Sequence, residues 1–190
     1  MRAEPAIRRL QELGNAELEQ LAALTVDCVE GGASIGFMQP FTLDMARAFW
    51  RRIGRDVAAG ERALLVAEDE QGICGTVQLV LALPENQPHR ADLCKMQVHR
   101  RMRRRGLGEL LVRAAERLAL ECGRNLLVLD AVTNGDAARL YERCGWIRVG
   151  DVPNFALYPD GRPCGTTYYY RSLEPAPMQA PRRARGSADS

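Results

Sequence analysis

The chain has 190 residues, 46% of them hydrophobic and 26% charged, the make-up of one globular domain with enough length for a core. Its formal net charge of +2 excludes a protein that binds nucleic acid with its whole surface, so a basic cluster here acts locally. The N-terminal MRAEPAIRRLQELG holds no apolar run of signal-peptide length, and no stretch approaches the ~20 apolar residues of a membrane span, so a cytoplasmic protein is expected.

In chain order, Asn15 is placed to cap a helix whose apolar positions Leu18, Leu21, Ala22, Thr25, Cys28 and Val29 follow the helical period, with Gly31-Gly32 ending it. Thr42 is placed to cap a second, with Met45, Ala46, Phe49, Trp50, Ile53 and Val57 on one face. Between them GASIGFMQP is too apolar and too glycine-rich for a bland linker. Residues 63–81, ALLVAEDEQGICGTVQLVL, read as two β-rich runs around a polar turn, an antiparallel hairpin. ENQPHR is a loop, and ADLCKMQVH over 91–99 is a further strand. It runs into RRMRRRGLGELL, where five arginines fill six positions, 100 to 105, ahead of Gly106-Leu107-Gly108.

Leu107, Leu110, Leu111, Ala114, Leu118 and Cys122 then mark a helix closed by Gly123. LLVLDA over 126–131 is the continuous apolar run of a central strand, which completes a β-α-β unit. Ala137, Leu140, Tyr141 and Cys144 mark a short helix closed by Gly145, and WIRVG and TTYYYRSL are the last two strands. From Glu174 the sequence EPAPMQAPRRARGSADS lacks apolar periodicity and is rich in Pro, Arg and Ser, so a disordered tail over 174–190 is expected after a single domain over 1–173. The six cysteines form no C-x-x-C pair and only two histidines, His89 and His99, stand beside them, so they are expected as reduced, mostly buried small hydrophobes with no metal site.

The arginines and glycines fall between a strand and the N-terminus of a helix. The first turn of a helix offers unpaired N–H groups and the positive end of its dipole, and glycine lets a ligand approach the backbone. That combination suits a phosphate. A Walker A loop is excluded, since it needs a Gly-Lys pair and none occurs. A dinucleotide-binding turn is a rival, because Asp130 ends the next strand about 20 residues on, but Leu111 stands where its third glycine belongs. A solvated basic loop with helix-starting glycines is the plainer alternative.

Two linked motifs decide among these. Arg103-Arg104-Arg105-Gly106-Leu107-Gly108 resembles the R/Q-x-x-G-x-G/A motif of the GNAT N-acetyltransferase superfamily, and Asn134, Ala137, Leu140, Tyr141 and Gly145 resemble its N-x-x-A-x-x-L-Y-x-x-x-G pattern. With the strand at 91–99 the likeness covers residues 63–173. NQPHRADLCKMQVH, LLVLDAVTNGDAARLYERCGW and VGDVPNFALYPDGRPCGTTYYYR further resemble the tabtoxin resistance acetyltransferase branch. The resemblance implies an α/β (mixed α+β) fold with a central mixed, partly splayed sheet flanked by helices. It also implies acetyl-coenzyme A as donor co-substrate, with no metal.

By the family motif, Arg103, Arg104, Arg105, Gly106, Leu107 and Gly108 hold the diphosphate, while Arg100 and Arg101 attract it or the 3′-phosphate. Coenzyme A carries both groups, and guanidiniums at a helix N-terminus suit them. Asn134 belongs to the cofactor-binding set through the second motif. Met96 and Val98 pair with the pantetheine arm, and the Val98 N–H is a candidate to polarise the thioester carbonyl. Tyr141 is placed as general acid toward the departing thiolate, with a core tyrosine as its structural alternative. Asp130, the one charge in LLVLDA and at the carboxyl end of its strand, is expected as base, directly or through water, or else as a turn cap near Thr133-Asn134. Asp92 and Glu68 are alternative bases, and His89 and His99 weaker ones.

For the acceptor, Ser34 and Phe37 in GASIGFM, with Asp130, are expected to wall the pocket, while Trp146 is expected in the core and Phe155 in either place. The closer resemblance implies a small amino-acid-like or antibiotic-like amine such as tabtoxinine-β-lactam, beside metabolite and peptide amines. The partner expected is a small-molecule amine, with no membrane, and the state is monomer or homodimer. The competing class is a non-catalytic module, a coenzyme A sensor or an RNA binder. RNA binding is weakened because residues 99–111 hold no aromatic to stack a base.

Overall fold

The computed structural model describes residues 4–174, and the tail expected from 174 lies, past its first residue, outside the described residues. Helix α1 spans Asn15–Glu30 and helix α2 Leu43–Ala58. Thr42 caps α2 as expected, its hydroxyl accepting from Met45 N at 3.3 Å. The cap of α1 is Gly14, not Asn15, with extended φ −73° and ψ 168°. Glu17 in the first turn folds back so closely that a Cβ on Gly14 would stand 2.7 Å from its carboxylate.

The strands are β1 Ala6–Leu10, β2 Arg62–Asp69, β3 Gly72–Val80, β4 Arg90–Val98, β5 Leu126–Val132, β6 Ile147–Leu157 and β7 Pro163–Ser172, with helices α3 Leu107–Glu121 and α4 Asp136–Arg143. They form one sheet in the order β1-β2-β3-β4-β5-β7-β6. Every pairing is antiparallel except β4 with β5, so the β4-α3-β5 crossover is the unit read from sequence. Strand β1 carries no readable pattern because only Leu10 is buried; Arg8 ties it to the sheet through both oxygens of Glu68, at 2.7 and 2.8 Å. Strand β6 runs well past WIRVG. Pro153, and Asn154 at φ +53°, interrupt its alternation, and its register against β7 shifts between Val152 and Ala156. As an edge strand, it leaves Ile147, Val149, Val152, Phe155 and Leu157 exposed.

Two cores lie on the two faces. One packs Leu107, Leu111, Leu118 and Tyr141 from α3 and α4 against Leu65, Val77, Leu79, Leu127 and Leu129. The other packs Leu21, Leu24, Phe49, Trp50 and Ile53 from α1 and α2 against Leu64 and Val66. Each fully buried leucine contributes ~1.5–3 kcal/mol relative to exposure. A buried relay crosses the second core: Trp50 Nε1 donates to Thr25 Oγ1 at 2.8 Å, and Thr25 Oγ1 donates to Gln97 Oε1 at 2.9 Å. It fixes the end of β4 against α1. Trp146 is buried, with Nε1 donating to Glu116 at 3.0 Å, and Phe155 is exposed.

Candidate active site

Strands β4 and β5 pair over Arg90–Asp92 and Leu126–Val128 and then part. The cause is a bulge: Gln78 faces Cys94 but Thr76 faces Gln97, so Lys95 and Met96 together stand opposite Val77. Lys95 takes φ +50°, a left-handed conformation that a lysine rarely adopts. Past the bulge, His99 N donates to Cys74 O at 2.9 Å, toward β3. By strand alternation the N–H of Val98 therefore points the other way, into the split. The Val98 carbonyl on that side accepts from Arg103 Nε at 3.3 Å and lies 3.7 Å from Cys28 Sγ. The side chains of Met96 and Val98 pack on the α3 core, which leaves their backbone to meet a ligand.

At the end of β4 the arginines divide by role. Arg100 donates to Asp27 and Glu30 of α1, and Arg101 grips Asp69 with both terminal nitrogens. These two are struts that tie the turn to α1 and to the end of β2. Arg103, Arg104 and Arg105 are exposed, and none forms an ion pair among the described residues. Arg104 at φ +58° and Gly106 at φ +82° turn the chain into α3, for which Gly106 is the N-cap. Gly108 is small for a packing reason as well: a Cβ there would meet Leu140 Cδ2 at 2.8 Å, so α3 and α4 could not approach as they do. Asn134, at φ +59° in the β5–α4 turn, is exposed; its carbonyl accepts from Arg139 at 2.8 Å.

Tyr141 is buried on the α3 side of the sheet, its ring 5.5 Å from Trp146 and 6.3 Å from Tyr169. Its hydroxyl has no hydrogen bond among the described residues. Burial first, then Cys94, Cys144 and Asp130, push its pKa above the ordinary tyrosine value, so it is a protonated phenol at neutral pH. Cys94 and Asp130 face the opposite side of the sheet from the α3 core. Their electrostatic reach to Tyr141 is possible because the strands have parted here.

On that second face, Asp130 is exposed and accepts from Thr166 Oγ1 at 2.8 Å. Asp92 lies at the last paired position before the split, opposite Val128. Burial raises its pKa, Arg90 opposes the rise, and Asp130 adds to it. Of the alternative bases, Asp92 thus stands beside Asp130, whereas Glu68 is bound to Arg8 at the far side of β2. His99 Nδ1 accepts from Arg101 N at 3.2 Å and belongs to the arginine turn. Between Asp92 and the bulge, Arg62 Nη1 donates to Gln78 Oε1 at 3.0 Å and to Cys94 Sγ at 3.4 Å. Arg62, Cys94 and Thr166 have no motif to flag them; only their even spacing along strands, opposite the α3 core, marks this face.

The segment 33–41 roofs this face. Lys95 Nζ donates to Ile35 O at 2.8 Å on the β4 side, while Ser34 Oγ donates to Leu157 O and Pro159 O accepts from Gln39 N, both at 2.9 Å, on the β6–β7 side. Ser34 acts as a strut of the roof. Phe37 packs on Phe41 and Phe49 with ring centroids at 4.4 and 5.1 Å.

The family model described as acetyltransferase (GNAT) domain matches residues 60–148. Among solved structures, an N-acetyltransferase from Staphylococcus aureus Mu50 superimposes with a TM-score of 0.73 at 17% identity, over 90% of this chain and 100% of that one. yncA from Salmonella typhimurium, described as an acetyltransferase with its cofactor acetyl-CoA, gives 0.73 at 18% identity, over 93% and 98%. Ribosomal-protein-alanine N-acetyltransferase from Brucella melitensis gives 0.72 at 23% identity, over 88% and 99%. The mixed sheet and its flanking helices are shared with all three. No helix of the described residues is long and apolar enough to cross a membrane.

Proposed function

We propose that the protein, whose residues 60–148 match the GNAT acetyltransferase domain model, transfers acetyl from acetyl-coenzyme A directly to a primary amine of a small acceptor. One observation carries the reading: β4 leaves β5 after Asp92, with the Val98 N–H in the gap and an arginine–glycine helix start at its end. That is a slot for an extended arm with an anionic end. The neighbour with acetyl-CoA supports the choice of donor.

The residues suit the parts of the reaction. Arg104 and Arg105, with N–H groups of the first turn of α3, hold the diphosphate, and Arg103 spans from the loop to the Val98 carbonyl. The Val98 N–H donates to the thioester oxygen as it gains charge. The amine nitrogen forms its bond to the carbonyl carbon, and its surplus proton passes to Asp130, directly or through water. The C–S bond breaks, and the sulfur receives the Tyr141 proton. Because burial makes Tyr141 a reluctant acid, that proton follows the charge on sulfur rather than preceding it.

Asp92 as base is a second reading, favoured by its raised pKa, since a carboxylate nearer neutrality matches an amine proton better. The likeness to the tabtoxin resistance branch supports a small amino-acid-like acceptor. The test is a screen of amines with acetyl-coenzyme A that reads free thiol and product mass together. Thiol release coupled to an acetylated amine is expected. Coenzyme binding without acetylation of any amine would favour a sensor, and salt-dependent RNA retention an RNA module.

A further inference from the structure

Lys95 is the only lysine in a chain with 26 basic residues. It stands on the bulge of β4, beside the split, and is half-buried. Its Nζ donates to Ile35 O at 2.8 Å and lies 5.8 Å from the centroid of the Phe37 ring. A Cβ on Gly36 would come within 3.1 Å of it. No carboxylate pairs with it among the described residues. The neighbouring cations differ: Arg62 faces Asp56 at 3.5 Å, and Arg90 faces Asp92 at 3.3 Å.

An ammonium has three donors, and here a single carbonyl takes one. The ring face and the carbonyl tolerate the charge without neutralising it. A partly desolvated cation in that state gains most from an anion that arrives with a ligand. Its surroundings say which ligand. The roof segment 33–41 holds Lys95 over the second face of the sheet, the face that carries Asp130 and Asp92. Cys94 lies between Lys95 and Asp92: burial raises its thiol pKa, Arg62 and then Lys95 oppose the rise, and Asp92 adds to it. Arg62 and Arg90 are met by Asp56 and Asp92, so Lys95 is the cation of this face with no carboxylate partner among the described residues, and Asp130 lies across the face from it.

Resting on the acetyl-transfer reading, we propose that Lys95 Nζ holds a carboxylate of the acceptor, so that the substrates are zwitterionic, amino-acid-like amines whose nitrogen faces Asp130. A compact ammonium with two remaining donors suits a small carboxylate, which it meets as a point charge. The competing role for Lys95 is a strut that merely pins Ile35. A strut would affect all acceptors alike.

The test measures kcat/KM by thiol release, at saturating acetyl-coenzyme A, for the common L-amino acids and their matched amides, in the wild-type chain, Lys95→Met and Lys95→Arg. The amide's amine is less basic and so more often neutral, which favours amides where nothing recognises the carboxylate. Wild type is expected to favour the acid of its best pair by about tenfold or more, the effect of one charge-assisted hydrogen bond. In Lys95→Met the acid-to-amide ratio should fall toward one, and Lys95→Arg should restore part of it. Coenzyme A binding by calorimetry verifies that each variant is folded. A wild-type ratio at or below one, or a ratio that survives in Lys95→Met, would overturn the assignment while leaving acetyl transfer standing. Failure on the whole panel, with another amine acetylated in the wider screen, would overturn this assignment alone; failure on every amine would overturn both.

Discussion

Asp27 holds Arg100 twice, accepting its backbone N–H at 2.9 Å and its guanidinium Nε at 2.7 Å. The contact ties α1 to the first residue of the arginine turn. Burial by itself raises the Asp27 pKa, but the Arg100 N–H, the Arg100 guanidinium and His99 together hold it below the ordinary 3.8. A carboxylate with a lowered folded pKa stabilises the fold above its unfolded value and loses that contribution as pH falls through the folded one. Asp27→Asn should therefore lower the melting temperature at neutral pH, with a loss of ~1–3 kcal/mol. In acid the gap should narrow below the ordinary carboxylate value and then close. Thermal melts of both proteins across that range check it.

The division of the arginines gives a sharper expectation. Arg104→Ala with Arg105→Ala should weaken coenzyme A binding by ~1–3 kcal/mol per lost charged hydrogen bond and leave the melting temperature near that of the wild type. Arg101→Ala should do the reverse, because it breaks the grip on Asp69. Calorimetric titration with coenzyme A and dephospho-coenzyme A, beside thermal melts, separates the two effects. Equal losses of affinity in both variants would refute the division.

Gly108→Ala tests packing rather than charge. The added Cβ would meet Leu140 Cδ2 at 2.8 Å, and Leu140 precedes Tyr141 on α4. The helix must shift to admit it, with a cost of ~1–3 kcal/mol for overpacking. Turnover should fall more than coenzyme affinity, because the displaced group is the candidate acid. A variant with normal kcat and weak coenzyme binding would mean that Gly108 matters only for the approach of the diphosphate.

Much of this was legible in the sequence. The period of Leu107, Leu111 and Leu118 and the apolar run around Leu127 and Leu129 report burial directly, and burial is what hydrophobic spacing encodes. Thr42 was legible as a cap because its hydroxyl performs the capping itself. Gly14 was not, since it caps by its extended backbone with no side-chain hydrogen bond, and the neighbouring Asn15 carries the stronger capping signal in the sequence. The turn from Arg103 to Gly108 could be read as a ligand site from residue types alone, but which arginines are bound by Asp27 and Asp69 depends on residues far apart in the chain. Lys95 was invisible for a related reason: its meaning comes from a bulge that re-aims it at Ile35. Strand β6 hid behind Pro153 and Asn154.

The last expectation assigns the protons. Tyr141→Phe removes a hydroxyl with no partner among the described residues and keeps the ring against Trp146 and Tyr169, so the fold should be retained. Turnover should nevertheless fall by ~10²–10⁴ with coenzyme affinity little changed, the loss expected of a general acid. The two carboxylates are then separable by pH. If Asp130 is the base, Asp130→Asn should lose most activity at low pH, where the amine is protonated, and regain part of it as pH rises through the amine's own pKa. If Asp92 is the base, Asp130→Asn removes a neighbour that raises the Asp92 pKa, so the acid limb of the remaining activity should move to lower pH. Stability gives an independent check with the opposite sign from Asp27. A carboxyl whose folded pKa is raised costs stability when ionised, so Asp92→Asn should melt higher than wild type at neutral pH. That advantage should shrink as pH falls through the raised folded pKa and vanish below the unfolded value of 3.8. Near-normal turnover in Asp130→Asn and Asp92→Asn alike, on a verified acceptor, would remove both carboxylates from the proton path and leave the amine to react from its own neutral fraction.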